Sequence, residues 1–382
     1  MAGSDERGTE PTAERGSVSL PAEALGAPPG PRSVLLKVAS AALSGGLVVL
    51  LLLVIVPAVG SLSGVWTAIS AMSPATVVLL VIAALVIRVL LAAAYAVILP
   101  GLSLGRSLIA REASSAVSNV VPGPSGTATQ YVILRSWGVS TEAFAGATIS
   151  MGVFTDVLVF AAPGGFFIIW VLLGMPAATG SDNVWLWGIG ALVVSAIAVG
   201  LLLAIGGSER LAARVGRLGQ GCVNPFRRLL GKGRIADWPE RCVGLRTHTL
   251  RTLKEHGVGL IGYITGGYLL NGLLLVWCLW ACGISRSALP LSLGLMLYSV
   301  GRISTVVNIT PGGVGVAEVA YTAVYVTVLG SSSHDSVVAG VLVYRGLTYV
   351  LPMLTGAVCY VLWRVLRRRE LRESTVGTGA PA

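Results

Sequence analysis

An eight-residue pattern of Asn, Pro and Gly occurs twice in the sequence. One copy runs from Asn119 to Gly126 and the other from Asn308 to Gly315, and both read N-x-x-P-G-x-x-G. Proline lacks an N–H and glycine adopts dihedral angles closed to other residues, so a helix that reaches Pro-Gly ends there. A helical pattern resumes after each copy, and the free N–H groups at such a helix start can bind phosphate or carboxylate. The residues predicted to form these two turns and to take part in substrate binding there are Asn119, Pro122, Gly123, Gly126, Asn308, Pro311, Gly312, Gly313 and Gly315.

Ionisable residues also lie inside long apolar stretches. Arg88 is near the centre of one stretch, Asp156 is midway along another, and Arg345 is about two turns into the last. A central charge costs roughly 2.5–3.5 kcal/mol on membrane-insertion scales, so such residues usually serve a function. The charges expected around a shared cavity are Arg88, Arg111, Arg135, Arg302 and Arg345 on the positive side and Glu112, Asp156 and Glu318 on the negative side. The surplus of two positive charges predicts an anionic head group as ligand.

Several of these charges also have a structural alternative. Asp156 and Arg345 are separated by the same 189 residues as the two motif copies, so they could pair as an ion bridge. Arg88 would then be neutralised by Glu112. Glu318 follows Gly315 by three residues and is either a capping carboxylate for the new helix or a catalytic or proton-carrying group. The sequence leaves these alternatives open.

Composition defines the class of protein that positions these residues. Hydrophobic residues make up 54% of the 382, charged residues 12%, and the mean hydropathy is +0.81. A soluble domain of this length does not have such a composition. Six apolar runs are long enough for a hydrocarbon core of about 30 Å, which needs about 20 helical residues. They are 35–56, 76–99, 143–172, 184–206, 257–282 and 337–363, and they predict an all-α polytopic membrane protein.

Lys and Arg collect in two places that we expect to be cytoplasmic. The segment 207–256 carries eleven of them and the end of the last run adds four more, whereas 57–75 and 173–183 carry none. This distribution predicts a protein of the cell membrane with both termini in the cytoplasm. The transmembrane domain would span 34–365, between a disordered tail at 1–33 and a basic, then disordered, tail at 366–382.

The topology places the two motif copies on opposite sides of the membrane. We therefore predict two inverted repeats, 35–172 and 184–363, with the basic loop 207–256 as an insertion in the second. Each repeat would have about three spans and a re-entrant helical hairpin, arranged around a central cavity near the bilayer midplane. The alternative for each hairpin is an ordinary turn that joins two full spans.

The blocks Pro311 to Glu318 and Val343 to Pro352 resemble the second signature of the lysylphosphatidylglycerol synthase transmembrane-region family. The block Asn119 to Gly126, with Arg135 and Gly138, is similar to its first. The resemblance covers roughly 35–365 and implies a flippase-like membrane domain in which Arg345, Glu318 and the Pro-Gly turns serve the site. Because the sequence ends shortly after the last run, we expect the soluble aminoacyl-transferase domain of the synthase to be absent.

Three functions are compatible with these features. The first is a flippase that moves an anionic phospholipid or polyprenyl-phosphate-linked lipid by alternating access, without an ATP-binding loop. The second is a membrane enzyme or subunit of lipid-linked glycan synthesis, and the third is a small-solute secondary transporter. The basic loop 207–256 is expected to be attracted to the anionic inner leaflet, and its alternative role is to dock a cytoplasmic or membrane lipid-modifying synthase. We expect no enzyme activity, cofactor, metal or nucleic-acid partner, since no paired carboxylates, metal ligands or nucleophile and base are evident. Cys278 and Cys282 are expected to be packing residues.

Overall fold

The computed structural model describes residues 62–121, 124–174, 182–229, 238–306 and 311–377. Every regular element in these ranges is a helix. The predicted span 35–56 and the tail 1–33 lie outside the described residues. The helices are α1 (Leu62–Ser70), α2 (Pro74–Ile98), α3 (Leu104–Val120), α4 (Ser125–Arg135), α5 (Thr141–Leu172), α6 (Asp182–Gly207), α7 (Glu209–Leu229), α8 (Trp238–Ala281), α9 (Leu291–Ile303), α10 (Val316–Leu329), α11 (His334–Arg345) and α12 (Leu351–Gly377).

Five helical segments are long and apolar enough to cross a membrane. They are Pro74–Ile98, Thr141–Leu172, Val184–Leu202, Thr249–Ala281 and Ser331–Glu370. Each overlaps one of the six predicted apolar runs, and the sixth run is the one outside the described residues. Large apolar side chains such as Leu186 and Ile197 are exposed on these helices, as expected for surfaces that face lipid. The chain is therefore an all-α membrane protein.

Serine residues define where three of the helices begin. Ser73, Ser103 and Ser140 each have an extended backbone and accept a hydrogen bond from the N–H of the third residue after them. This bond satisfies one of the donors that a helix start leaves free. In α2 the effect is reinforced by Pro74 at the first helical position, where a missing N–H costs nothing.

Two helical hairpins interrupt the series of long helices. The first consists of α3 and α4, with 17 and 11 residues, and the second of α9 and α10, with 13 and 14 residues. These limbs correspond closely to the predicted helices before and after each Pro-Gly pair. All four are shorter than the roughly 20 residues that a full span requires.

The hairpins pack reciprocally across the two halves of the sequence. Helix α3, from the first hairpin, packs along α12, and α9, from the second hairpin, packs along α5. Helix α2 packs against α8. The repeat offset of 189 residues moves α2 to 263–287, and most of this range lies within α8. The backbones of α3 and α12 are very close, because a Cβ on Gly356 would lie 2.2 Å from the carbonyl oxygen of Glu112.

Two segments are more helical than the sequence predicts. In its described residues, the basic segment 207–256 forms α7 and the first part of α8, which pack against each other. The last helix continues to Gly377, well into the predicted C-terminal tail at 366–382. Cys278 and Cys282 are buried free thiols within apolar clusters, which confirms the packing role predicted for them.

Candidate functional site

Two adjoining cavities lie between the hairpins and the long helices. The front cavity, of about 210 Å³, is lined by α2, α3, α8, α9, α10, α11, Gly312 and the π-helical segment Gly346–Val350. The rear cavity, of about 370 Å³, is lined by α2, α3, α5, α8 and α9. Both are lined by Leu91, Arg111, Asn271 and Arg302, so we refer to the pair as the central cavity.

Each hairpin contributes one arginine to both parts of the central cavity. Arg111 lies in α3 ahead of the first motif copy, and Arg302 lies in α9 ahead of the second. The Nε atom of each is buried and has no hydrogen-bond partner, and neither guanidinium is in an ion pair with another described residue. A buried donor left unsatisfied costs about 1–3 kcal/mol, and more when it is charged. An anion in the cavity would satisfy both groups.

Arg88 has a carboxylate partner. Its Nε donates to Glu112 Oε1 at 2.7 Å, and the second carboxylate oxygen accepts a 2.7 Å bond from the hydroxyl of Thr355. Glu112 is only 2% exposed, and its pairing with Arg88 confirms one of the alternatives considered from sequence. This network joins α2, α3 and α12. Arg88 lines the front cavity but is held mainly by this structural contact.

Arg345 is also paired, but not with Asp156. Its Nε donates to Glu318 Oε1 at 2.6 Å, and its Nη2 donates to the carbonyl oxygen of Gly312 at 2.9 Å. The other oxygen of Glu318 accepts the Gly315 N–H at 2.6 Å, so this carboxylate also caps α10 as predicted. The alternative in which Arg345 pairs with Asp156 is therefore wrong. Glu318 is brought close to Arg345 by the packing of α10 on α11.

The two motif copies meet through Tyr349. Its hydroxyl donates to the backbone oxygen of Asn119 at 2.7 Å, and the Asn119 side-chain amide donates back to the Tyr349 carbonyl at 3.1 Å. The guanidinium of Arg345 lies 5.1 Å from the centre of the same ring. Gly312, in the second copy, lies close to both this ring and the first copy, since a Cβ there would lie 2.2 Å from the Tyr349 ring and 3.1 Å from Asn119 Oδ1. One aromatic side chain thus ties the first motif to the second.

The glycines of the second motif are required by its backbone. Gly312, Gly313 and Gly315 have φ angles of 60°, 69° and 85°, in the left-handed region that other residues rarely adopt. Gly126 has a packing role instead, because a Cβ would lie 2.7 Å from that of Ser118 in α3. Pro311 begins a short 3₁₀ turn. Pro122, Gly123 and Asn308 lie outside the described residues.

Asp156 lines the rear cavity and also a second, apolar cavity between α5, α6 and α8. Its side chain is exposed and forms no ion pair with any residue in the described ranges. With Glu112 held by Arg88 and Glu318 held by Arg345, Asp156 is the carboxylate left among the predicted cavity charges to balance Arg111 and Arg302.

Arg135 does not belong to this site. It ends α4, is exposed, and donates to the Tyr131 hydroxyl at 3.0 Å while lying over that ring. Neither part of the central cavity is lined by it, so its predicted place there is wrong. Four arginines and three carboxylates remain, which lowers the predicted surplus from two positive charges to one.

Sequence reasoning missed several neutral residues of the cavity. Tyr298 and Tyr321 stack with ring centres 5.9 Å apart, and Tyr268 and Tyr344 pack edge-on against this pair. All four line part of the central cavity. Asn271, in the apolar helix α8, could have been found by the argument used for intramembrane charges. The tyrosines gave no comparable signal, because aromatic residues are common in apolar helices.

A π-helical segment places further polar groups beside Arg345. Residues Gly346–Val350 form this segment, and it ends just before Pro352. Proline at that position removes one N–H and crowds the preceding turn, which favours such a local widening of the helix. Thr348 and Leu347 line the front cavity as a result. Among the residues that the structure describes, no group of three His, Cys, Asp or Glu could hold a metal.

Comparison with known families identifies the class of this protein. The family described as the lysylphosphatidylglycerol synthase TM region matches residues 35–356. The match covers most of the sequence, including both hairpins and the central cavity, and the chain belongs to this family. No curated protein matches the chain significantly. Membership supports a membrane function related to lipids.

Proposed function

We propose that the protein is a lipid translocase that binds an anionic lipid head group in the central cavity and moves it between leaflets. The observation that carries the proposal is a pair of arginines, Arg111 and Arg302, one from each hairpin, each with a buried Nε that has no hydrogen-bond partner and with no ion pair to another described residue. Guanidinium groups suit phosphate because their fork of N–H donors matches its oxygens. Asn271 and Thr348 add neutral hydrogen-bonding groups to the same cavity. The family supports a lipid as the ligand.

The proposal includes two inverted repeats with re-entrant hairpins. Three features support it: the short limbs of α3, α4, α9 and α10, the reciprocal packing of α3 on α12 and α9 on α5, and the contact between the motif copies at Tyr349. Non-helical backbone at membrane depth is tolerated where it is buried in protein or lines a cavity. Rocking of one repeat against the other would expose Arg111 and Arg302 to each side in turn.

The favoured topology places α7, the start of α8 and both termini in the cytoplasm. Basic residues gather in these segments, and the cytoplasmic leaflet is the more anionic one. We propose transport without enzyme activity as the role of this chain. A synthase that makes or consumes the lipid is the partner we would expect at the α7–α8 surface.

The small-solute transporter is the second candidate, because a polar cavity lined by arginines would also accept a soluble anion. The two candidates differ in what they retain during purification. A translocase carries its lipid with it in mild detergent, whereas a solute transporter carries only the lipids of the surrounding membrane.

Mass spectrometry of co-purified lipids tests the proposal. Wild type should retain one anionic lipid class above its share of the membrane, and Arg111→Gln and Arg302→Gln should each lose about tenfold of that enrichment, the effect expected for a charged hydrogen bond. Arg135→Gln is the matched control, since it removes the same charge outside the cavity. A membrane-average lipid profile in the wild type would contradict the proposal.

Movement of the lipid needs a separate measurement. Proteoliposomes carrying the retained lipid with a fluorescent label would be treated with a membrane-impermeant quencher. We expect wild type and Arg135→Gln to bring inner-leaflet label to the surface and Arg302→Gln to be slow. Retention without movement would make the protein a lipid-binding subunit rather than a translocase.

A further inference from the structure

An apolar groove adjoins the central cavity. It has a volume of about 610 Å³ and lies between α5, α6 and α8. Most of its lining is hydrocarbon, from side chains that include Val153, Phe160, Leu201, Leu202, Leu250 and Leu253. A volume of this size is typical of sites that bury a small molecule or cofactor. Arg246 also lines the groove, where it donates to the Gly206 carbonyl oxygen at 3.2 Å and pairs with Glu209 at 3.4 Å. The hydrocarbon part of the lining disfavours a charged or strongly hydrated occupant.

Asp156 connects this groove to the arginines. It lines the groove on one side and the rear cavity on the other, and the rear cavity is lined by Arg111 and Arg302. Thr148 and Thr155 lie in the rear cavity on the same helix as Asp156. The hydroxyl of Thr148 is buried without a hydrogen-bond partner. Between Arg111 and Arg302 and the hydrocarbon of the groove, the lining therefore passes through hydroxyls and a carboxylate.

We propose that the groove binds a fatty acyl chain of the same lipid whose head group is bound by Arg111 and Arg302. This inference rests on the proposed function and narrows its substrate to a glycerophospholipid. Such a lipid has an anionic phosphate, then glycerol esters, then a hydrocarbon chain. The order matches the arginines, the hydroxyl of Thr148 as a donor to an ester carbonyl, and the groove. A polyprenyl phosphate fits less well, because its hydrocarbon begins directly at the phosphate and would lie against Asp156.

The two parts of the site then divide the recognition of the lipid. The arginines select for a negatively charged head group. The groove discriminates between a lipid and a soluble anion of the same charge, because only the lipid has a hydrocarbon chain to place there. Burial of hydrocarbon is strongly favourable when the hydrocarbon leaves water, but contributes very little when it leaves the bilayer. The groove therefore orients the lipid and guides it laterally into the cavity rather than adding much affinity.

Photo-crosslinking tests the inference. Vesicles would contain phosphatidylglycerol with a diazirine midway along one acyl chain, and labelled peptides would be identified by mass spectrometry. We expect labelling at 153–160, 198–207 and 249–253 in the wild type. Arg302→Gln should lower it about tenfold, because the head group no longer holds the lipid in place. A matched phosphatidylcholine probe should label these segments less than phosphatidylglycerol does.

Filling the groove provides the second arm. Ala198→Trp places a bulky ring in the lining, and Ile197→Trp is its control, because Ile197 is 66% exposed and does not line the groove. We expect loss of groove labelling only in Ala198→Trp, with unchanged binding of glycerol phosphate in detergent. Leu201→Trp serves as an independent blocking variant, so the result does not depend on the folding of one protein.

The outcomes separate this inference from the proposed function. Equal labelling of the groove by both probes, independent of Arg302, would identify ordinary boundary lipid and overturn the inference. Selective retention of phosphatidylglycerol with labelling elsewhere would also overturn it but leave the translocase intact. Labelling by a polyprenyl phosphate probe in preference to phosphatidylglycerol would overturn the assignment of the groove to a fatty acyl chain. Loss of any dependence on Arg111 and Arg302 would remove both proposals.

Discussion

At the scale of residues, the four cavity arginines divide into two kinds. Arg88 and Arg345 are held by carboxylates at 2.7 and 2.6 Å, whereas Arg111 and Arg302 have no ion-pair partner among the described residues. A buried ion pair is strongly destabilising to break, because one charge is left without compensation. An arginine without an ion pair has the opposite property, since its substitution leaves no buried carboxylate without its counter-charge. Substitution of Arg88 or Arg345 should therefore lower stability. Substitution of Arg111 or Arg302 should instead weaken ligand binding.

Glu112→Gln tests this distinction at the first pair. We expect a loss of about 3–5 kcal/mol of unfolding free energy, because Arg88 would remain buried without its counter-charge. Thermal unfolding in detergent measures the effect. The double variant Arg88→Gln with Glu112→Gln should recover much of the loss. A double variant no more stable than Glu112→Gln would show that the carboxylate acts through Thr355 rather than through Arg88.

Arg345→Ala tests the second pair. We expect a loss of about 3–5 kcal/mol of stability together with any loss of lipid retention, because Arg345 holds both Glu318 and the Gly312 carbonyl. Arg302→Gln should instead unfold at or above the wild-type temperature. An unchanged unfolding temperature in Arg345→Ala, with lipid retention lost, would place Arg345 in direct contact with the ligand.

At the scale of elements, the second Pro-Gly turn depends on a backbone that only glycine adopts easily. Gly312 combines a φ of 60° with a position against the Tyr349 ring. An alanine there has to adopt strained dihedrals and displace the ring that joins the two hairpins. The conformation of one residue therefore controls the contact between two distant elements.

Gly312→Ala should destabilise the protein by about 1–3 kcal/mol, the usual cost of a strained backbone conformation. Gly105→Ala is a suitable control. Gly105 lies in α3 with open space around it, so alanine should be neutral or gain about 0.5–1 kcal/mol. Unfolding temperatures of both variants, with lipid retention as a second readout, give the comparison. Equal behaviour of the two would mean that the turn adapts without strain.

At the scale of the whole molecule, the inverted arrangement predicts where the ends of the helices lie. The connection between α2 and α3 and that between α8 and α9 are related by the repeat, so they should lie on opposite sides of the membrane. Arg106 and Ser287 are exposed at these two places. Their positions can be measured without any knowledge of the ligand.

Single cysteines at Arg106 and Ser287 would be introduced after replacing the five native cysteines with alanine. In intact cells we expect a membrane-impermeant maleimide to label Ser287→Cys but not Arg106→Cys. Permeabilised cells should show labelling of both, which serves as the control. Labelling of both residues in intact cells would place them on the same side and contradict the inverted topology.

The sequence by itself determined the class of protein and the segments that build it. Apolar runs of about 20 residues predict membrane helices because the hydrocarbon core has a fixed thickness, and five of the six are found in the described ranges. Pro-Gly pairs predicted where the hairpins turn, because proline and glycine act on their own backbone. The capping role of Glu318 could also be predicted from sequence, because it is a local interaction with Gly315, only three residues away.

Only the tertiary structure decided which charges meet. Arg345 pairs with Glu318 instead of Asp156, Arg135 points away from the cavity, and Asp156 faces both the arginines and the apolar groove. A repeat offset says that two residues occupy equivalent positions, and equivalent positions need not be in contact. Contacts between helices depend on which faces pack together, and that is determined by the side chains of every neighbouring helix at once.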